Sequence, residues 1–267
     1  MKDRIMLFIP MYNCEKQIGR VLDKFDQDTQ KLFGEIVVID NISPDKSVEN
    51  AVSSLQRFHN VKTTVLRNHQ NYSLGGSIKV AWDYAISNGY EYVITLHGDD
   101  QGNIQDIVPF IKGREYKDYD IVVGARFHKD SSLHGYPFIR IAGNYGFNFL
   151  CTVITGKKIY DMIAGLNIFK VSFLTDKFYL GFPNNLTFDA HVLLYAISHK
   201  KSIKYIPISW SESDQISNAK VVRQGITLLK LFLYYLLFRK SMFKNLSSEF
   251  SDIDYTSEVI HQKDIEK

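Results

Sequence analysis

The sequence predicts an α/β domain carrying a C-terminal amphipathic helical extension, and three observations support this. Short β-rich runs alternate with helix-period stretches through the first half, the pattern of a sheet fed by crossover helices. Clusters of unusual polar residues follow those runs instead of interrupting them. Near the C-terminus, the strongly apolar stretch from Ile226 to Phe238 is shorter than the roughly 20 residues that a membrane-crossing helix needs.

The expected strands are Ile5 to Ile9, Glu35 to Ile39, Lys62 to Leu66, Tyr90 to Leu96 and Asp120 to Gly124. Between them, Ile18, Val21, Leu22, Phe25 and Leu32 recur at helical spacing, as do Val48, Ala51, Val52 and Leu55, then Ile78, Ala81, Trp82 and Ala85. Each set reads as a core-facing stripe. In the second half a His, Ser and Gly-rich loop from Phe127 to Phe138 leads into a helix from Ile139 to about Thr155. A turn through Asp161 and Gly165, a helix from Phe188 to His199 and a short strand from Ile203 to Ile206 follow. The expected division is a main domain over residues 1–215, an amphipathic helix over 216–244 and a polar, mobile tail over 245–267.

Composition narrows the function. At 267 residues with 45% hydrophobic and 13% aromatic side chains, the chain can bury a substantial core. Its 32 basic and 29 acidic side chains leave a net charge of +3, too balanced to suggest a nucleic-acid partner. Phosphorylated small molecules remain compatible with it. Cys14 and Cys151 form neither a zinc motif nor a disulfide framework, which fits a reducing, cytoplasmic compartment. The apolar run ended by Pro10 is too short for a signal-peptide core.

The polar clusters fall after the first strand (Tyr12, Asn13), the second (Asp40 to Asp45) and the fourth (His97 to Gln101). Ligands of open α/β sheets sit outside the carboxyl ends of the strands, so these clusters can share one crevice. In extended backbone His97, Asp99 and Gln101 point one way and Asp100 the other. Hard cations such as Mg²⁺ commonly take one or two carboxylates plus substrate phosphates, although Asp-Asp-Gln-Gly also makes an ordinary strand-ending turn. Asp40 can accept hydrogen bonds from a base or ribose, and Asn41, Ser43 and Asp45 are equally turn formers. Gly75 and Gly76 open a helix where backbone can approach phosphate, but the spacing is neither a Walker A loop nor a dinucleotide fingerprint.

Together these segments resemble family 2 glycosyltransferases. The resemblance begins with Pro10-Met-Tyr12-Asn13-x-Glu15, continues through Asp40-Asn41-x-Ser43-x-Asp45 and Asn71 to Gly76, and takes in the His97 segment, all in order over about the first 130 residues. Further on, Gly124-Ala-Arg126-Phe127, Arg140, Asn144 and Asp161 to Gly165 look like the polyprenyl-phosphate sugar transferase branch, of the dolichol-phosphate mannose synthase type. The resemblance implies a GT-A fold, a Rossmann-like mixed sheet flanked by helices, and inverting transfer from a nucleotide-diphosphate sugar. It places Tyr12 and Asp40 at the nucleobase, with Pro10, Asn13, Glu15 and Asn41 shaping that pocket and Gly76 nearby. It places His97, Asp99 and Gln101 on the Asp-x-Asp-x-Gln metal segment for Mg²⁺ or Mn²⁺, and Arg126 on phosphate oxygens. Three positions depart from the pattern: His97 stands for an aspartate, Ser73 for a glycine and Asn167 for an arginine.

The acceptor implied is polyprenyl phosphate, which needs no general base. A lipid-linked or surface-polysaccharide glycan acceptor would need one, and Asp189 is the candidate, with helix N-capping as its structural alternative. A non-catalytic nucleotide-sugar-binding module is the third reading. Arg223, Thr227, Lys230 and Tyr234 form one polar stripe on the C-terminal helix, with Arg239, Lys240 and Lys244 behind it. That pattern suits a helix lying at the inner face of a membrane, and a helix packed on the protein's own core is the alternative.

Overall fold

Strands buried on both faces must be apolar along their whole length, and this holds for β1 (Ile5–Met11), every residue of which is buried. In the computed structural model, described for residues 4–162, 164–212, 221–239, 241–243, 250 and 252–265, nine further strands follow. They are β2 (Glu35–Asp40), β3 (Lys62–Asn68), β4 (Tyr92–Leu96), β5 (Ile121–Ala125), β6 (Ser132–His134), β7 (Leu166–Lys170), β8 (Ile203–Pro207), β9 (Ser209–Ser211) and β10 (Ser257–Lys263). The helices are α1 (Ile18–Asp23), α2 (Gln27–Gln30), α3 (Ser47–Leu55), α4 (Ser73–Ser87), α5 (Val108–Lys112), α6 (Phe138–Thr155), α7 (Val171–Leu174), α8 (Phe188–Ser198) and α9 (Val221–Phe238).

Among the described residues the main sheet has eight strands in the order β10-β3-β2-β1-β4-β7-β5-β8, and β6 pairs with β9 in a small second sheet. β3, β2, β1 and β4 run parallel, while β7 is antiparallel to both β4 and β5. The five expected strands are all present, with every end shifted by at most two residues, and the apolar stripes of α1, α3 and α4 face the core. The mixed α/β architecture expected from the sequence is therefore the one observed.

Two segments differ from expectation. Where the sequence suggests only the end of a turn, β7 is a buried inner strand whose Leu166, Asn167, Ile168 and Phe169 lie between β4 and β5. A five-residue run with no alternation carries too little signal to separate it from the turn before it. The tail differs as well: within the expected mobile segment 245–267, β10 pairs antiparallel with β3 and forms the sheet edge. Its residues are largely polar because pairing there rests on backbone hydrogen bonds, which hydropathy does not register.

One charged group is buried inside the sheet. Glu35 is fully buried and accepts from Tyr84 Oη at 3.0 Å, from Tyr90 Oη and from Thr64 Oγ1, with Lys62 Nζ at 3.2 Å. A buried carboxylate is tolerated because it is surrounded by donors in this way. Burial and the Glu35 carboxylate together push the Tyr84 hydroxyl up to about 12.

The C-terminal helix packs one side on the protein's own core and leaves large apolar residues exposed on the other. Leu228, Leu231, Phe232 and Tyr235 of α9 are buried, with the Phe232 ring 5.4 Å from that of Phe147 on α6, whereas Ile226, Leu229, Leu233, Leu236 and Leu237 are exposed. Thr227, Lys230 and Tyr234 of the polar stripe are exposed too; the side chain of Arg223, and Lys240 and Lys244, lie outside the described residues. Phe232→Ala should therefore cost about 3–5 kcal/mol in chemical denaturation. Leu237→Ser, on the opposite face, should stay within about 0.5 kcal/mol of wild type.

Candidate functional site

The carboxyl ends of β1, β2 and β4 and the start of α4 surround a cleft of about 460 Å³. Its walls include Pro10, Tyr12, Asn41, His97 and Asp99 from the predicted clusters, together with Ser73, Ser77 and Leu186. The parallel register of β2-β1-β4 delivers the first five to one place, since parallel neighbours end at the same side of the sheet.

The loops after β1 and β2 are tied to each other by side-chain-to-backbone hydrogen bonds. Asp45 Oδ2 accepts from the Glu15 amide at 3.1 Å, and Glu15 Oε2 accepts from the Lys46 amide at 3.0 Å. The Asn13 amide donates to Ser43 Oγ at 3.2 Å, and Asn13 itself adopts a positive φ of 57°. Asn13, Glu15, Ser43 and Asp45 thus brace the loops and are not among the residues lining the cleft. Asp40 is fully buried at the end of β2; it accepts from the Ser43 amide at 3.1 Å and pairs with Arg67 Nε at 2.8 Å. The carboxylate expected at a nucleobase sits behind the cleft wall, oriented by both partners.

Asn41 organises the next stretch of wall. Its Oδ1 accepts from Asn68 Nδ2 and from the Tyr72 amide, each at 2.9 Å, and its Nδ2 donates to Asn71 Oδ1 at 2.8 Å. Asn68 also donates to Ser77 Oγ at 2.9 Å, so one amide chain joins β2, β3 and α4. Gly75 and Gly76 are required by close packing. A Cβ on Gly76 would stand 2.3 Å from Tyr72 Cβ, and one on Gly75 would stand 2.9 Å from the Asn184 backbone. Gly76 is not among the residues lining the cleft. Ser73, which replaces the expected glycine, holds a φ of 60° at the start of α4.

The segment after β4 is a turn, not the extended strand that would alternate its side chains. Asp100 has a φ of 62° and turns away to pair with Arg20 Nε at 2.7 Å and Lys24 Nζ at 2.6 Å. His97 and Asp99 both line the cleft; Gln101 does not, and its carbonyl accepts from the Ser211 amide at 2.9 Å. Asp99 Oδ1 accepts from the Gln101 amide at 3.2 Å, which fixes the carboxylate across the turn. His97 Nε2 is buried with no hydrogen-bond partner. Burial pulls the His97 pKa down, Asp99 raises it and Arg126 lowers it. Among the described residues no three His, Cys, Asp or Glu side chains stand together as a complete ligand set. A partnerless imidazole nitrogen and a carboxylate on one cleft nevertheless suit a divalent cation that takes its remaining ligands from a diphosphate.

Arg126 is already engaged. Its Nε and Nη2 clamp Asp161 at 2.8 and 2.9 Å, its Nη1 donates to Tyr136 Oη at 3.3 Å, and its guanidinium lies over the Phe127 and Trp210 rings. Burial works against the charge, but Asp161 outweighs it and raises the arginine pKa. Arg140 pairs with Glu212 at 2.6 Å, and Asn144 donates to the Arg140 carbonyl. Asp189 and Asn167 line a separate cavity, walled by Val123, Met162 and Leu193. Asn167 Nδ2 donates to the Ala164 carbonyl while its buried Oδ1 has no partner, and desolvation pushes Asp189 up to about 7. Of the wall residues, Leu186 and Ser77 had no motif to mark them; they reach the cleft only through packing.

Comparison with known proteins agrees with this geometry. The Glycosyl transferase family 2 model matches residues 6–177. The uncharacterized protein MJ1222 of Methanocaldococcus jannaschii is 26% identical over 87% of this chain and 92% of its own length. The human dolichyl-phosphate beta-glucosyltransferase is 25% identical over 87% of this chain and 76% of its own. Among solved structures, glucosyl-3-phosphoglycerate synthase of Mycobacterium tuberculosis in complex with Mn²⁺, UDP and glucosyl-3-phosphoglycerate superposes with a TM-score of 0.63. That superposition covers 98% of this chain and 90% of that one at 12% identity, a likeness of fold. With motif order, fold and family model in agreement, this chain belongs to glycosyl transferase family 2 and is a glycosyltransferase.

Proposed function

We propose that the chain transfers a sugar from a nucleotide-diphosphate sugar to a polyprenyl phosphate at a membrane surface. The observation that carries this reading is the placement of Asp99 and the partnerless His97 Nε2 on the same cleft as Pro10, Tyr12 and Asn41. Tyr12 and Asn41 are set to meet the nucleoside, with the Asp40–Arg67 pair behind them. Asp99 and His97 face the diphosphate end, where they would hold Mn²⁺ or Mg²⁺. When bound, the cation would neutralise charge building on the leaving diphosphate as the anomeric bond breaks. Arg126 is held by Asp161 and is not among the residues lining the cleft, so a phosphate contact there would have to share the guanidinium with that carboxylate.

The names of the relatives support the acceptor class: besides the human enzyme above, they include a dodecaprenyl-phosphate galacturonate synthase. A phosphate acceptor is already nucleophilic. A hydroxyl acceptor would require a base, and Asp189 has suitable basicity, but it lines a different cavity from His97 and Asp99.

The membrane reading rests on two helices. Phe138, Ile139, Phe149 and Val153 of α6 are 63–82% exposed, and α9 adds Leu233, Leu236 and Leu237. The helices touch through Phe147 and Phe232, so their exposed apolar residues belong to neighbouring elements, with Lys230 and Arg239 among them exposed. Among the described residues no helix is long and apolar enough to cross a membrane. Peripheral seating in the lipid interface uses such a surface, each large side chain contributing about 1.5–3 kcal/mol before ordering costs.

Three outcomes test the proposal. Asp99→Asn should fold normally and lose both sugar transfer and Mn²⁺-dependent nucleotide binding; wild-type turnover at saturating metal would refute the metal role. Replacing Phe149, Leu233 and Leu237 by serine should release the protein from anionic vesicles in sedimentation while its melting temperature holds, and retained binding would exclude this surface. For Asp189, folding raises the pKa from 3.8 to about 7, so the folded state holds an extra proton between those values. Its contribution to stability is present at acid pH and lost as pH rises through 7. Asp189→Asn should therefore match wild type in melting temperature near pH 4, exceed it at pH 8, and keep transfer to polyprenyl phosphate.

A further inference from the structure

The C-terminal segment is joined to the back of the proposed donor cleft through one buried hub. Lys79, fully buried on α4, donates from Nζ to the Leu180 carbonyl at 2.9 Å, the Phe182 carbonyl at 2.6 Å and Tyr255 Oη at 2.9 Å. Three acceptors match the three protons of an ammonium group, and the Tyr255 ring faces the same nitrogen with its centroid at 4.7 Å. Tyr255 Oη in turn stands 2.8 Å from Asn184 Oδ1, to which it donates. Asn184 uses its backbone as well: its carbonyl accepts from the Gly75 amide at 2.7 Å.

These contacts join three segments that meet nowhere in the sequence. The start of α4 supplies Ser73, Leu74 and Ser77 to the cleft, and the 180–187 loop supplies Leu186. The third segment, leading into β10, contributes no residue to the cleft lining and touches the other two from behind. Tyr72 Oη donates to the Asp254 carbonyl at 3.0 Å and accepts from the Thr256 amide at 3.2 Å, while the Tyr72 and Tyr255 rings lie 5.2 Å apart. Tyr72 also donates its amide to Asn41 Oδ1, so the same residue is bonded to the tail on one side and the cleft wall on the other.

We infer that Tyr255 and Lys79 are positioning residues for the donor: they set the separation of the α4 start and the 180–187 loop, and through it the fit of the cleft to a nucleoside diphosphate. This rests on the donor reading above. Neither residue touches the reacting atoms. The α4 start begins with a positive-φ serine and two glycines, and the loop has no regular structure at 183–187, so neither wall is rigid alone. Pinning both to one buried amine removes freedom that nucleotide binding would otherwise have to remove.

Tyr255→Phe keeps the ring contacts and deletes only the bridging oxygen. Hydrogen exchange should show faster amide exchange confined to residues 71–77 and 180–187. Calorimetric titration with Mn²⁺–UDP and Mn²⁺–GDP, well below the melting temperature of either protein, should show the binding nucleotide weakened about five- to tenfold. A purely structural role would lower the melting temperature and leave that affinity alone. Unchanged exchange in both segments overturns the inference, as does loosened exchange with wild-type affinity. If wild type binds neither nucleotide, it is the donor reading that fails; exchange then decides by itself whether Tyr255 holds the two segments.

Discussion

The site depends on how closely β7 approaches the turn after β4. The His97 amide donates to the Gly165 carbonyl at 3.0 Å, and a Cβ on Gly165 would stand 2.8 Å from the His97 ring and 2.9 Å from Trp210. Only a residue with no side chain lets the two backbones meet there. That contact lies at the end of β4, where the turn begins that sends Asp99 to the cleft and Asp100 to Arg20 and Lys24. Leu166, the next residue, sets a second close approach: a Cβ on Gly124 would lie 2.4 Å from its carbonyl. The antiparallel strand is thus fitted between its neighbours at two glycines, and Arg126 lies two residues after Gly124.

Two ways of handling buried charge recur around this core. Glu35, Asp40 and Asp161 are carboxylates below 4% exposure, each surrounded by donors or paired with a cation, and each joins elements distant in sequence. Asp189 and His97 are different. Desolvation dominates both, pushing the aspartate up and the imidazole down, so both are held toward their neutral forms. The paired groups build the frame, and two of the buried atoms left without a partner belong to residues that line cavities. These atoms are His97 Nε2 and Asn167 Oδ1, the first on a residue that lines the cleft with Tyr12 and Asp99, the second on a residue that lines the Asp189 cavity.

The outer surface follows a separate logic. α6 and α9 each bury one side and leave large apolar residues on the other, and they contact each other through Phe147 and Phe232. Hydrophobic helix faces of this kind are costly to expose in water and mark a surface built to be covered. The sequence of α9 shows an amphipathic helix but leaves its apolar residues undivided between core and solvent. That division is set by rotation of the helix against α6, which periodicity does not fix.

The sequence by itself determined the parallel half of the sheet and the clusters at its carboxyl ends. Continuous apolar strands, helical stripes and polar loops are local patterns, and parallel strands must deliver their following loops to one side. Hence Pro10, Tyr12, Asn41, His97 and Asp99 are legible as one cluster from the order of residues in the chain. Which polar residues line the cleft and which hold the loops was decided by tertiary structure alone. Asn13, Glu15 and Asp45 match the family pattern as well as Tyr12 does, yet the Asn13 amide donates to Ser43 and the Glu15 and Asp45 carboxylates accept from backbone amides across two loops. Gly76 packs on Tyr72, Gln101 turns aside because the segment is a turn, and Asp189 opens onto another cavity. β7, β10 and the Lys79–Tyr255 hub also required the structure, because they rest on pairing and contact between residues far apart in the chain, and no local pattern encodes a partner.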